Sequence, residues 1–227
     1  MAESVSVHGS QGFVASTIGR KVVMAVTGLV LFGFVFVHML GNLQMFLHDH
    51  ESMNRYGRFL RELLHGGGIW VARAVLLGSV VAHIAAAWSL TRTSVKARPV
   101  PYRMVTPDAS TYASRTMRWS GPILLLFIVY HLLHFTVGTV HPDFIDGDVY
   151  RNVIVGFSIW WVSVFYIVAM LALGLHLRHG VWSMLQSLGA SHPRWDRMRD
   201  TAATAFTVVV VLGFISVPLA VMAGVLK

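Results

Sequence analysis

The chain contains no cysteine. That absence excludes a disulfide, a thiolate metal site, an iron–sulfur cluster held by the chain itself and a haem attached through thioether bonds. Charge is scarce as well: 12% of the 227 residues are Asp, Glu, Lys or Arg, and only ten are acidic. A soluble domain of this length carries about twice that share of charge. The shortage of acid leaves a formal net charge of +8. Such a surplus can mark a nucleic-acid binder, but here the basic residues flank apolar runs, so membrane orientation explains them and no nucleic-acid partner is expected. Hydrophobic residues make up 55% of the chain and the mean hydropathy is +0.63. Those values place the chain among integral membrane proteins.

Residues 1–19 are small and polar and form an N-terminal tail. Arg20-Lys21 before an apolar run has the outline of a signal peptide. The run continues to about Phe46 without a small-residue cleavage site, so it is an uncleaved first span. Further apolar segments give five spans, at about 22–46, 69–90, 119–140, 152–187 and 201–226. Residues 20–227 are thus an all-α membrane domain, a five-helix bundle, with no soluble domain and no obvious internal repeat. The amphiphilic stretch from Leu47 to Gly68 predicts a short interfacial helix closed by a turn at Gly66-Gly67-Gly68. Pro218 predicts a kink in the fifth span. The loop from Thr91 to Arg118 and the turn holding Arg194, Arg197 and Arg199 are basic and share a side with Arg20-Lys21. The loop with Asp143, Asp146 and Asp148 lies opposite. This asymmetry puts the N-terminus in the cytoplasm and the C-terminus outside.

Ionisable residues inside spans are functional candidates by default. The first four spans carry His38, His83, His131 with His134, and His176 with His179. A lone histidine in a membrane helix can simply hydrogen-bond its neighbour. Four successive spans with one each, at near-equal intervals, point instead to axial ligands for haem iron, with bundle cores as the place where such cofactors sit. At a rise of ~1.5 Å per residue, His38 lies ~24 Å and His131 ~18 Å from the inner ends of their spans. His83 and His176 fall in the inner half. Two bis-histidine haems stacked across the membrane follow: His38 with His131, and His83 with His176.

Small residues one turn away would let a porphyrin approach. Ala172 and Gly180 flank His176, against Leu175 and Ser183 for His179; His83 has Ala86 and Ala87, and His38 has Gly41. In the third span Phe127 and Phe135 flank His131 while Gly138 favours His134, so the residues themselves leave that choice open.

With these residues in place, the chain resembles the five-helix, di-haem cytochrome b membrane subunits of succinate:quinone oxidoreductases, the succinate dehydrogenase and fumarate reductase family. The resemblance covers nearly all of residues 16–226. It rests on IGRKVVMAVTGL leading to HMLGNLQMF, on LTRTSVKARPVPY after His83, on SRTMRWSG before YHLLHF, and above all on LHLRHGVWSMLQSLG. It implies His38 and His131 as ligands of an outer haem b and His83 and His176 as ligands of an inner one, with His134 and His179 in supporting or packing roles. Arg20, Lys21, Arg115, Ser120 and Arg178 are positional candidates to meet haem propionates, with anchoring at the membrane interface as the alternative for each.

The resemblance also implies a bacterial cytoplasmic (inner) membrane, a flavoprotein partner that holds the dicarboxylate site, and an iron–sulfur partner docked on the cytoplasmic side by the tail, the basic loop and the basic turn. Electrons would pass through this chain to or from a quinone, menaquinone rather than ubiquinone, and no catalytic residue lies on the chain itself. Asn42, Gln44, Tyr56, Arg61 and Glu62 are the candidates for quinone contact near the outer haem, with His65 and Trp70 at the same level. The menaquinol-linked fumarate reductases of this family carry a glutamate two residues before the fourth-span haem ligand; here that residue is Gly174. The alternatives are a cytochrome b anchor of a formate dehydrogenase or hydrogenase, told apart by its partner subunit, and a haem-free transporter that uses the histidines as a proton relay.

Overall fold

The computed structural model describes residues 12–47, 51–97, 112–190 and 192–227. They form seven α-helices and no strand: α1 (Thr17–Asn42), α2 (Glu51–Glu62), α3 (Gly67–Lys96), α4 (Tyr112–Phe135), α5 (Val149–Ser158), α6 (Trp160–Ser187) and α7 (Asp196–Met222). Four segments, Thr17–Phe46, Gly67–Lys96, Trp160–Ser187 and Pro193–Met222, are long and apolar enough to cross a membrane. The apolar part of α4, Trp119–Phe135, is shorter. That helix stops before the expected 140 because the chain turns at Gly138, whose φ is +82°.

Local chemistry fixes the helix ends. The Ser16 hydroxyl accepts from the Gly19 N–H at 2.9 Å and caps α1. A 3-10 turn over Leu43–Phe46 tightens its far end. The interfacial helix expected between the first two spans is α2, which buries Met53 and Asn54. Asn54 donates to Asp148 at 3.0 Å and accepts from the Tyr150 N–H at 3.0 Å, so one side chain fastens α2 to the start of α5. The glycine turn is entered through two left-handed residues, Leu64 and His65, ahead of Gly66.

The segment expected as one span over 152–187 is two helices. Ile159 is extended, with φ −82° and ψ 104°, and separates α5 from α6. The break leaves the Phe157 carbonyl without a helical partner, and the fully buried Ser163 hydroxyl donates to it at 2.7 Å. Broken backbone at such depth persists only where it is satisfied in this way. α5 therefore belongs with α2 to a layer at the acidic end of the bundle. Pro218 lies inside α7, which continues past it to Met222.

The long helices alternate in direction. Arg20 at the start of α1 donates to Ser89 at 2.8 Å near the end of α3. Arg178 near the end of α6 donates to Thr204 at 3.1 Å near the start of α7. α1 and α7 run together, with Phe32 stacked on Phe206 and His38 close to Phe214. Close approaches are made at small residues, as membrane helices require. A Cβ on Gly213 would collide with Met39, and one on Gly174 would lie 2.9 Å from Val211 Cγ2. α1 packs on α3, α6 and α7, and α4 packs on α5 and α6; neither α1 with α4 nor α3 with α6 is among the closely packed pairs of the described residues. Large apolar side chains such as Leu77, Leu126 and Leu212 point outward, as lipid-facing surfaces do.

Candidate functional site: two imidazole pairs across the bundle

Helix pairs whose backbones stay apart are bridged by histidines. His38 of α1 and His131 of α4 have ring centroids 5.8 Å apart with an interplanar angle of 77°. His83 of α3 and His176 of α6 stand 6.3 Å apart at 56°. The chain thus brings together the same two pairs that depth along the sequence predicts. His83 reaches α1 at Met24 and Thr27, and His176 reaches α4 at Ser120. Counting along α1 from Thr27 to His38, or along α4 from Ser120 to His131, separates the two levels by ~16 Å.

The second ring nitrogen of a metal-bound histidine is normally held by an acceptor, which fixes the tautomer. Three of the four follow this pattern. His83 Nδ1 lies 3.2 Å from the Met24 carbonyl, His176 Nδ1 lies 3.4 Å from the Ser120 hydroxyl, and His131 Nδ1 lies 3.4 Å from the Tyr166 hydroxyl. With Nδ1 donating in this way, each ring would keep its Nε2 lone pair for a metal. His38 differs: its Nε2 is 3.5 Å from Asn42 Nδ2, whose shorter bond, 2.8 Å, goes to the His38 carbonyl.

These donors fit haem. Metal–imidazole bonds are ~2 Å, so two rings on opposite sides of one iron have centres about 6 Å apart. Among the described residues no cluster of three or more His, Asp or Glu forms that could hold a bare metal ion. Two imidazoles suit a metal whose other ligands come from a macrocycle. Beside the inner pair, a Cβ on Gly180 or Gly121 would meet nothing within 4 Å, which leaves the opening expected one turn from His176.

Other expectations need correction. Gly41 does not open space beside His38, because the Tyr56 ring covers it at 2.9 Å. Gly138 is a turn glycine pressed against Phe144 and opens nothing beside His134. Ser120 is buried against His176, so its hydroxyl orients a ring nitrogen. Arg178 is engaged by Thr204 and Asp200, and Arg20 by Ser89, Thr93 and the Ala15 carbonyl. Lys21 is exposed. The Arg115 side chain, residues 1–11 of the tail and residues 98–111 of the basic loop lie outside the described residues.

The quinone candidates lie toward the acidic end of the bundle, where most of them have partners of their own. Asn42 turns back to α1, Tyr56 packs on Gly41, and Arg61 pairs with Asp146 at 3.3 Å. Gln44 is half-buried, and Glu62, His65 and Trp70 are exposed, with Trp70 under the Arg73 guanidinium at 4.8 Å. A cavity of about 440 Å³ at that end is lined by Met45, Phe46, Leu47, Tyr150 and residues 224–227, and by none of these candidates.

Two contributors were missed in the sequence. Tyr166 lies between His131 and His134, and Gly28 is the surface of α1 on which the His83 ring rests, 3.4 Å from a Cβ placed there. Tyr166 could have been found, because a phenol inside an apolar span needs a polar partner.

Comparison with curated proteins and with solved structures gives no match. A family model, that of the succinate dehydrogenase/fumarate reductase transmembrane subunit, matches residues 96–214. The match covers just over half of the chain and includes the whole of α4, α5 and α6, hence His131 and His176. Together with the apolar spans, it makes this a multi-pass membrane protein that belongs to the family of succinate dehydrogenase/fumarate reductase transmembrane subunits.

Proposed function

We propose that this chain anchors the soluble part of a succinate dehydrogenase or fumarate reductase in a bacterial cytoplasmic membrane and conducts electrons between an iron–sulfur partner and a membrane quinone, menaquinone, through two bis-histidine b-type haems. The observation that carries this reading is the meeting of His38 with His131 and of His83 with His176, at 5.8 and 6.3 Å, across helices that are not among the closely packed pairs of the described residues. When bound, each haem supplies a reversible one-electron iron couple. The chain's own residues do the rest. His38 and His131 hold the outer group, and His83 and His176 hold the inner one. Met24, Thr27 and Ser120 orient the inner rings, and the apolar spans exclude water. α4 completes the set as a fifth span, with the N-terminus cytoplasmic. The dicarboxylate chemistry belongs to a flavoprotein partner.

The test is the absorption spectrum and haem content of the purified complex. Two reducible b-type haems per chain are expected, against none for a haem-free transporter. His176→Ala should remove one haem and His179→Ala neither. Equal haem in the two variants refutes the ligand assignment.

A further inference from the structure

His134 has no exposed surface, yet it is polar, and among the described residues its Nε2 has no hydrogen-bond partner. Burying an imidazole without full satisfaction costs free energy that an apolar side chain of similar volume would not incur. The hydrogen bond it makes is from Nδ1 to the Tyr166 hydroxyl, at 3.0 Å. The same hydroxyl lies 3.4 Å from His131 Nδ1. Neighbouring His141 does not relieve the unpaired nitrogen: its own Nε2 donates to the Asn152 carbonyl at 2.9 Å and its Nδ1 accepts from the Asp143 N–H at 3.1 Å. α5 comes so close here that a Cβ on Gly156 would sit 2.9 Å from His134 Cε1. His134 is thus clamped in place with Tyr166 as its polar contact.

The hydroxyl has one proton and can accept others. Each histidine offers it the same atom, Nδ1, so the three groups admit two orders in which the hydroxyl proton is also used. In one, the His131 Nδ1–H donates to the Tyr166 oxygen, the Tyr166 O–H donates to His134 Nδ1, and His131 Nε2 is a free lone pair. In the other, His134 donates to Tyr166 and Tyr166 donates to His131, which puts the His131 proton on Nε2 and closes that lone pair. Only the first order lets His131 ligate a metal. It also makes Tyr166 a better acceptor, because a hydroxyl that donates is polarised toward accepting.

We propose that Tyr166, held by His134, is a positioning residue for His131: it keeps the ring in the tautomer that presents Nε2 and, by accepting the Nδ1 proton, makes the ring a stronger donor to the outer haem than a free imidazole. This rests on the haem reading above. The inner pair has no such chain, since His83 is held by a backbone carbonyl and His176 by a serine hydroxyl. The effect is therefore specific to one of the two haems. A stronger donor favours the oxidised iron, so loss of the Tyr166 hydroxyl should favour the reduced form.

The experiment is potentiometry of both haems, with electron paramagnetic resonance of the oxidised low-spin signals, in the intact complex. Tyr166→Phe keeps the ring that packs between Phe127, Phe157 and Phe165. One hydrogen bond is worth about 1 kcal/mol net, or roughly a fivefold change in an equilibrium. The outer haem of Tyr166→Phe should thus show about fivefold less oxidised form at a fixed potential, a positive shift of ~40 mV at 59 mV per decade, with a moved low-spin signal. The inner haem should stay unchanged. His134→Leu should shift the outer haem in the same direction. His134→Asn, whose carbonyl oxygen stands where Nδ1 does, should restore it. Two haems present with both midpoints and both signals unchanged in Tyr166→Phe would overturn the positioning role while leaving the haem reading intact. So would equal shifts in both haems, or identical behaviour of His134→Leu and His134→Asn. Absence of haem from the unsubstituted complex would overturn both.

Discussion

Gly174 offers the sharpest test of how α6 and α7 are seated. A Cβ added there would lie 2.9 Å from Val211 Cγ2 and 3.6 Å from Thr207 Cγ2. Carbon atoms pack best at about 3.5–4.0 Å, so the first contact is too short and the second is ordinary. Valine is stiff about χ1 and cannot swing its methyl away freely. Overpacking of this kind costs about 1–3 kcal/mol. Against it stands the gain in helix propensity from glycine to alanine, about 1 kcal/mol. Gly174→Ala should therefore lose about 1 kcal/mol, a fall of a few degrees in the midpoint of thermal unfolding. Gly174→Glu should be far worse, because the carboxylate would enter a buried contact lined by the Val211 and Thr207 methyl groups, with no cation to pair it there among the described residues. The assay is a heat ramp on the detergent-purified complex, following tryptophan fluorescence and pigment together. A Gly174→Ala protein more stable than the parent by the full propensity gain, or a Gly174→Glu protein with the parent's midpoint, would show that α7 does not sit against Gly174. The position matters because the menaquinol-linked fumarate reductases that the chain resembles carry a glutamate here. In this bundle the approach of α7 leaves no room for one.

Two further substitutions probe the ends of the bundle. Asn54→Ala removes the acceptor of the buried Tyr150 N–H and the donor to Asp148; a loss of about 3 kcal/mol is expected, seen as faster hydrogen exchange in α2 and the first turn of α5, while unchanged exchange there would contradict the fastening role. Arg178→Gln breaks an ion pair with Asp200 at 3.1 Å in which both side chains are substantially exposed, 36% and 56%; less than ~1 kcal/mol of stability should be lost and haem content should not change, whereas loss of haem would return Arg178 to the haem rim.

Four apolar spans, the short helix between the first two and the approach of histidines from alternate spans were legible because each rests on a one-dimensional quantity: apolar run length, charge pattern, or depth along a helix. Depth alone matched the first span with the third and the second with the fourth, while His131 was preferred to His134 only through the resemblance. The division of 152–187 was not legible. Its cause is a hydroxyl, that of Ser163, which takes up the Phe157 carbonyl at a break that hydropathy cannot register. Gly41, Gly138 and Gly174 were equally opaque, since a glycine in a sequence does not say which neighbour approaches it. Tyr56 and Val211 come from other helices and Phe144 from further along the same loop as Gly138, and only the folded arrangement brings them there. The same holds for Ser120, whose rim position suggested a propionate but whose hydroxyl faces a ring nitrogen across the α4–α6 contact.

The two histidine pairs also bear on what holds the bundle together. In lipid, apolar burial does not drive helix association, so packing, small residues and polar contacts must do so. α3 packs closely on α1 and α2, and among the described residues its polar ties to the rest of the bundle run through α1, by Arg20 with Ser89 and by His83 with Met24 and Thr27. α4 is tied to α6 through Ser120, His131 and His134, and to α5. The bundle is thus two plates, α1 with α3 and α4 with α6, joined where α1 meets α6 and α7. Each histidine pair takes one member from each plate. On the haem reading, each iron would draw together helices that have little direct contact, His38 of α1 with His131 of α4 and His83 of α3 with His176 of α6. A group bound only by the assembled bundle stabilises it by mass action. The arrangement that sets two electron carriers ~16 Å apart is then the same arrangement that fastens the plates.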